Sequence, residues 1–146
     1  MSRLGRLLCL LALCLGTPAA AQDRPHWVAA WASSQMVPTG ENVASAEDLT
    51  NATLRQIVRV TLGGARLRVR LSNAYGGTGL EVGAVSVARS DGGPALADGT
   101  QRTVTFTDEP RIVVPAGDDV VSDPVPLHAE AGVPIAVSVF LTTVPD

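Results

Sequence analysis

Alternation of apolar and polar residues with a period of two dominates the chain from residue 53 onward, and helical periodicity is nearly absent. Val58, Val60 and Leu62 alternate with polar or charged neighbours, and Leu67, Val69 and Leu71 do the same after Gly63-Gly64. That alternation marks strands with one buried face, and a two-glycine loop suits a tight hairpin because both central residues can take positive φ. The expected register pairs Leu62 with Ala65, Val60 with Leu67 and Val58 with Val69, giving one wholly apolar face. It also sets Thr61 against Arg66, Arg59 against Arg68 and Ile57 against Arg70. Like charges directly opposite one another destabilise a sheet, so this register demands an acidic partner or water over the arginines.

Further strands are expected at Leu80 to Val87, Arg102 to Thr107, Arg111 to Val114, Val120 to Val121, Val125 to His128 and Val133 to Val144. They are punctuated by Ser90-Asp-Gly-Gly-Pro94, Pro115-Ala-Gly-Asp-Asp119, Ser122-Asp-Pro124 and Glu130-Ala-Gly132. Many short strands with frequent turns predict an all-β fold, an antiparallel β-sandwich of jelly-roll type. At most one short helix fits, about two turns from Ala44 to Leu54, with Ser45 as N-cap and Glu47 and Asp48 in its first turn.

The first 21 residues read as a signal peptide: Arg3 and Arg6 precede the apolar run Leu7 to Leu15, and Ala19 and Ala21 form a small-residue site for cleavage after Ala21. That run is shorter than the roughly 20 residues a bilayer span needs, so no transmembrane segment is expected and the product is expected to be secreted or periplasmic. Both cysteines, Cys9 and Cys14, fall within the leader, so the exported chain draws nothing from disulfides. Bulky Leu13 stands where a lipoprotein signal before Cys14 would want a small residue. Residues 22 to 146 make one domain. With Arg3 and Arg6 removed, nine arginines face fourteen acids, a net charge of −5, which disfavours nucleic acid as a partner.

Candidate chemistry is sparse. His26 and His128 are the only histidines, and neither sits in a motif that joins a nucleophile, a base and an orienting acid, so no catalytic residue is assigned. The histidines and acids form no zinc-type cluster. Asp118, Asp119 and Asp123 crowd neighbouring turns without the spacing of a calcium loop, so neither metal nor cofactor is implied. The sequon Asn51-Ala-Thr53 is read as a chance occurrence. Trp27 and Trp31, four apart and on one face, are expected in the core, with ligand stacking as the alternative; Tyr75 is the better candidate for an exposed aromatic. Five of the nine exported arginines, Arg55, Arg59, Arg66, Arg68 and Arg70, lie within sixteen residues. Solvation is the ordinary fate of such a face, and contact with an acidic partner surface is its functional alternative.

The order Trp27-Val-Ala-Ala-Trp31-Ala-Ser, Thr53-Leu-Arg-Gln-Ile-Val-Arg59, Leu62-Gly-Gly, Arg68-Val-Arg-Leu-Ser-Asn73, Tyr75-Gly, Val114-Pro-Ala-Gly117 and Ser122-Asp-Pro-Val125 resembles the N-terminal β-domain of secreted SGNH/GDSL-type esterases and lipases. The resemblance spans nearly all of residues 27 to 143. It implies a non-catalytic accessory domain whose partner is a catalytic SGNH domain beyond Asp146, with the five arginines as the interdomain contact and an ester-bearing glycan or lipid as the parent's substrate. The serine nucleophile of such enzymes lies in a Gly-Asp-Ser block, which this chain lacks, and Asp123 with His128 does not reproduce the family's Asp-x-x-His spacing. The chain is thus expected to be a fragment of such a hydrolase. The alternative is a free-standing carbohydrate- or envelope-binding sandwich in which Trp27, Trp31 and Tyr75 meet the ligand.

Overall fold

The computed structural model describes residues 26–144; the signal peptide expected over residues 1 to 21 lies outside them. The fold is all-β and antiparallel, as the alternation predicts. The larger sheet contains β1 (Ala52–Arg59), β7 (Pro134–Thr143), β3 (Leu80–Arg89) and β4 (Arg102–Val104) in that order, with β5 (Ile112–Val114) also paired to β3. The smaller sheet is β2 (Arg70–Ser72) with β6 (Asp119–Val121). Isolated bridges at Leu67 with Val125 and Gly64 with Ala129 continue its direction; Pro124 and Pro126 supply no N–H there, so a regular ladder cannot form. Between the two layers lies a core of Val58, Val69, Val82, Val85, Val87, Val104, Phe106, Val114, Val125, Leu127, Ile135 and Leu141. This valine-rich set is what β-branched side chains on a pleated surface favour.

The expected hairpin does not form. β1 pairs along its whole length with β7, from Ala52 with Leu141 to Arg59 with Pro134. After Arg59 the chain leaves the larger sheet, and residues 64 to 72 enter the smaller one, where they meet residues 119 to 129. Neither Gly63 nor Gly64 takes positive φ. Gly63 instead allows backbone to approach backbone: a Cβ there would stand 2.9 Å from the Ala129 carbonyl oxygen. Gly64 and Ala129 exchange two hydrogen bonds of 2.9 Å, and the Gly132 N–H donates to the Val60 carbonyl. The glycine pair is a crossing point between layers rather than a turn within one.

The helix is also shorter than expected. Ser45 caps it, its Oγ accepting from the Asp48 N–H at 3.0 Å, but the helix α1 covers only Ala46–Leu49. Asn51 adopts φ 56°, and Ala52 to Leu54 already belong to β1. The expected strand from Arg102 to Thr107 stops at Val104, because Thr107 and Asp108 take φ of 55° and 67° and turn the chain so that Phe106 bridges Glu109. The Asp123 carboxylate holds this turn, accepting from the Thr105 hydroxyl at 2.7 Å and the Asp108 N–H at 2.8 Å.

Asn73 ties one end of the smaller sheet, beside the Ser72–Asp119 pair, to the end of β5. Its Nδ2 donates to the carbonyls of Thr78 (2.8 Å), Val114 (3.0 Å) and Pro115 (3.2 Å). Its backbone carbonyl accepts from the N–H groups of Gly76 and Gly117, and its own N–H donates to Asp118. A Cβ on Gly76 would collide with the Asn73 carboxamide.

Two substitutions test these joints. Asn73→Ala forfeits three carbonyl partners and is expected to lower unfolding free energy in urea by about 2 kcal/mol; Asn73→Asp, which cannot donate, should do no better. Gly63→Ala is expected to cost about 1 to 3 kcal/mol, because the backbone atom it meets cannot step aside as a side chain would; an unchanged urea midpoint would show that the crossing is loose.

Candidate functional site

The structure does not bring the five arginines together. Val58 faces the core, so Arg55 and Arg59 of β1 lie on the outer face of the larger sheet. Val69 and Leu67 face the same core from the other layer, so Arg66, Arg68 and Arg70 point away from it on the opposite side of the sandwich. The Arg59–Arg68 opposition expected from the hairpin is therefore absent. Each layer disposes of its cations locally. Arg55 donates to the Ser138 hydroxyl (2.8 Å) and the Pro94 carbonyl (2.8 Å), and Arg59 donates to the Gly132 carbonyl (3.2 Å). Arg70 forms a two-pronged pair with Asp119, Nε to Oδ2 at 2.6 Å and Nη2 to Oδ1 at 2.8 Å. The guanidinium of Arg68 sits 4.6 Å from the centre of the Trp27 ring, a cation–π geometry. Arg66 is exposed.

The tryptophans are not core residues. Trp27 is 37% exposed, Trp31 47% and Tyr75 56%. The reason is local: residues 26 to 39 form no strand but run over the smaller sheet's outer side. They are held there by Arg68 on Trp27, by the Thr61 N–H and hydroxyl on the Ala30 carbonyl (both 2.9 Å), and by the Ser72 hydroxyl donating to Gln35 Oε1 (3.0 Å). The core is already filled by Phe106 and by aliphatic side chains from both layers.

Where this segment passes the Asn73 loop, the two enclose an open cleft of about 410 Å3. Ser33, Ser34, Gln35 and Met36 form one wall, and Ser72 and Tyr75 belong to the other. Tyr75 is the one sequence candidate placed there. Ser33, Ser34, Gln35 and Ser72 were not singled out by the sequence; their signal is the polar run after Trp31 and the Ser72-Asn73 pair just before Tyr75. A smaller groove of about 290 Å3 lies beside Glu81, Arg111 and Thr142.

The remaining titratable groups lie apart from the cleft. His128 is exposed and 4.0 Å from Glu130. Among the described residues neither histidine hydrogen-bonds a serine. Asp118, Asp119 and Asp123 serve separate partners: the Asp119 N–H, Arg70, and the Thr105–Asp108 turn. No group of three His, Cys, Asp or Glu among the described residues could hold a metal ion. No described helix is long and apolar enough to cross a membrane. No protein-family model and no curated protein matches the chain.

The Arg70 guanidinium hydrogen-bonded to Asp119 holds that carboxyl below its ordinary 3.8, and the Asp108 N–H, then the Thr105 hydroxyl, do the same for Asp123. Both groups bind protons more readily in the unfolded chain, so their contribution to stability is complete above pH 3.8 and is lost as pH falls through that value and below it. Melting temperature should decline on acidification through this range. The decline should be shallower in the Asp119→Asn, Asp123→Asn double variant; equal slopes would show that neither carboxylate is coupled to folding.

Proposed function

We propose that the protein is an exported, non-catalytic β-sandwich that serves as the accessory domain of an SGNH/GDSL-type hydrolase of carboxylic esters. One observation carries the reading: the segments that give the sequence its resemblance to such domains assemble on one another. Asn73, from the Arg-Leu-Ser-Asn segment, donates to Val114 and Pro115 and accepts from Gly117. Ser122 of Ser-Asp-Pro-Val accepts from the Val69 N–H and donates to the Asp123 carbonyl, and Leu67 bridges Val125. Motifs scattered over some sixty residues of sequence thus form one side of the sandwich, with the Trp27–Trp31 segment laid over it.

The same side is the surface that would meet a catalytic domain. It presents the exposed rings of Trp27, with Arg68 over it, and of Trp31, and carries the exposed Arg66. Aromatic rings and arginines are the residues that protein interfaces concentrate. Arg55 and Arg59, on the opposite face, take no part. In such an assembly the catalytic domain supplies the serine, its base and the oxyanion donors, and this domain supplies rigidity and a wall beside the substrate.

Reading the coding sequence after Asp146 for a Gly-Asp-Ser block, and expressing the joined product, tests the proposal. Trp31→Ala with Arg66→Glu should lower both its melting temperature and its turnover of a short-chain nitrophenyl ester, whereas Arg55→Ala should leave turnover unchanged. The isolated chain should turn over none. Hydrolysis by the isolated chain, abolished by a single serine substitution, would overturn the assignment.

A further inference from the structure

We propose that the cleft between residues 33–38 and the Asn73 loop binds a neutral sugar ring of a glycan, with Tyr75 as its stacking platform. The inference stands on the cleft alone and does not require the hydrolase reading. Four observations carry it.

The first is the charge of the lining. Ser33, Ser34, Gln35, Met36, Ser72 and Tyr75 are uncharged, as are the other lining residues, although the outer face of the same sheet carries Arg66, Arg68 and Arg70. An anionic ligand would find no cation within the cleft, and a cationic one would find no carboxylate. The second is the mixture of groups. The Ser33 and Ser72 hydroxyls already donate to the Ser34 carbonyl and to Gln35 Oε1, but an acyl chain would desolvate the Ser34 hydroxyl and the Gln35 amide hydrogens without replacing their hydrogen bonds, at a cost that apolar contact with Met36 and Tyr75 does not recover. A pyranose ring has hydroxyls for those groups and a C–H face for an aromatic ring, so both kinds of lining are used.

The third is the state of the polar partners. Gln35 commits its Oε1 to the Ser72 hydroxyl, which leaves the two amide hydrogens as donors. The fourth is rigidity under the aromatic. Tyr75 sits in a turn closed by the Gly76 N–H on the Asn73 carbonyl at 3.0 Å, and the Asn73 carboxamide anchors that turn to three carbonyls. A ring that is 56% exposed on a fixed turn presents apolar area whose backbone is already ordered before the ligand arrives.

Affinity electrophoresis of the exported chain in gels containing xylan, laminarin, galactomannan or hydroxyethylcellulose, with polygalacturonate as the anionic comparison, decides the matter. At least one neutral glycan should retard the protein. Tyr75→Ala should weaken that retention about tenfold and Tyr75→Phe should preserve it. Gln35→Ala should weaken it and Arg66→Ala should not, with all variants matched for melting temperature. Retention should persist at high salt. Free migration through every neutral gel, retention by polygalacturonate alone, or equal retention of wild type and Tyr75→Ala would each overturn the proposal.

Discussion

Everything in this molecule follows from the crossing at Gly63-Gly64. The chain passes from an edge of one sheet into the other within a few residues, and the missing Cβ of Gly63 lets its backbone lie against the Ala129 carbonyl there. Once it does, the inward residues on either side, Val58 and Val69, meet across the core from different layers. The neighbouring outward residues are then sent to opposite surfaces. The smaller sheet, the bed for residues 26 to 39 and the cleft beside Asn73 are all downstream of that choice. The cost is a junction with little regular ladder, offset by the paired hydrogen bonds of Gly64 with Ala129 and by the contact of Gly132 with Val60.

Much of the architecture could be read along the chain. The alternation in residues 80 to 87 and 133 to 144 became the two central strands β3 and β7, because long alternating runs carry their own face assignment. Ser45 announced its cap correctly, since capping is settled within three residues. What could not be read was pairing. Residues 58 to 71 alternate equally well whether they fold back on themselves or separate into two layers, and a period of two records which face is buried but not which strand lies alongside. The deciding contact is with Ala129, far off in sequence. The truncated strand after Val104 failed for a similar reason, because Asp123 imposes the turn from a distant segment.

The candidate site was legible only in part. Tyr75 stood out as a loop aromatic and is exposed, yet its cleft is completed by a polar segment some forty residues earlier that has no periodicity to mark it. The tryptophans were misplaced because hydrophobic area alone suggested burial, while a core of aliphatic side chains drawn from both sheets left them outside. Arginine clustering in sequence likewise became dispersion in space. Arg70 is matched by Asp119 and Arg68 by an aromatic ring, so local partners resolve the cations that a hairpin would have set against one another.

Strand β1 is an outer strand of its sheet, eight residues long, and one of its sides is unpaired among the described residues. Such a border, with Leu54 and Ile57 exposed on it, is a template on which a second molecule could add a strand. Arg55 and Arg59 flank Ile57 on the outer face and reach over their own sheet to Pro94 and Gly132. The two arginines that the crossing leaves on this side are thereby turned inward across their own sheet, Arg55 to Ser138 and Pro94 and Arg59 to Gly132, and fasten the edge strand to its surroundings.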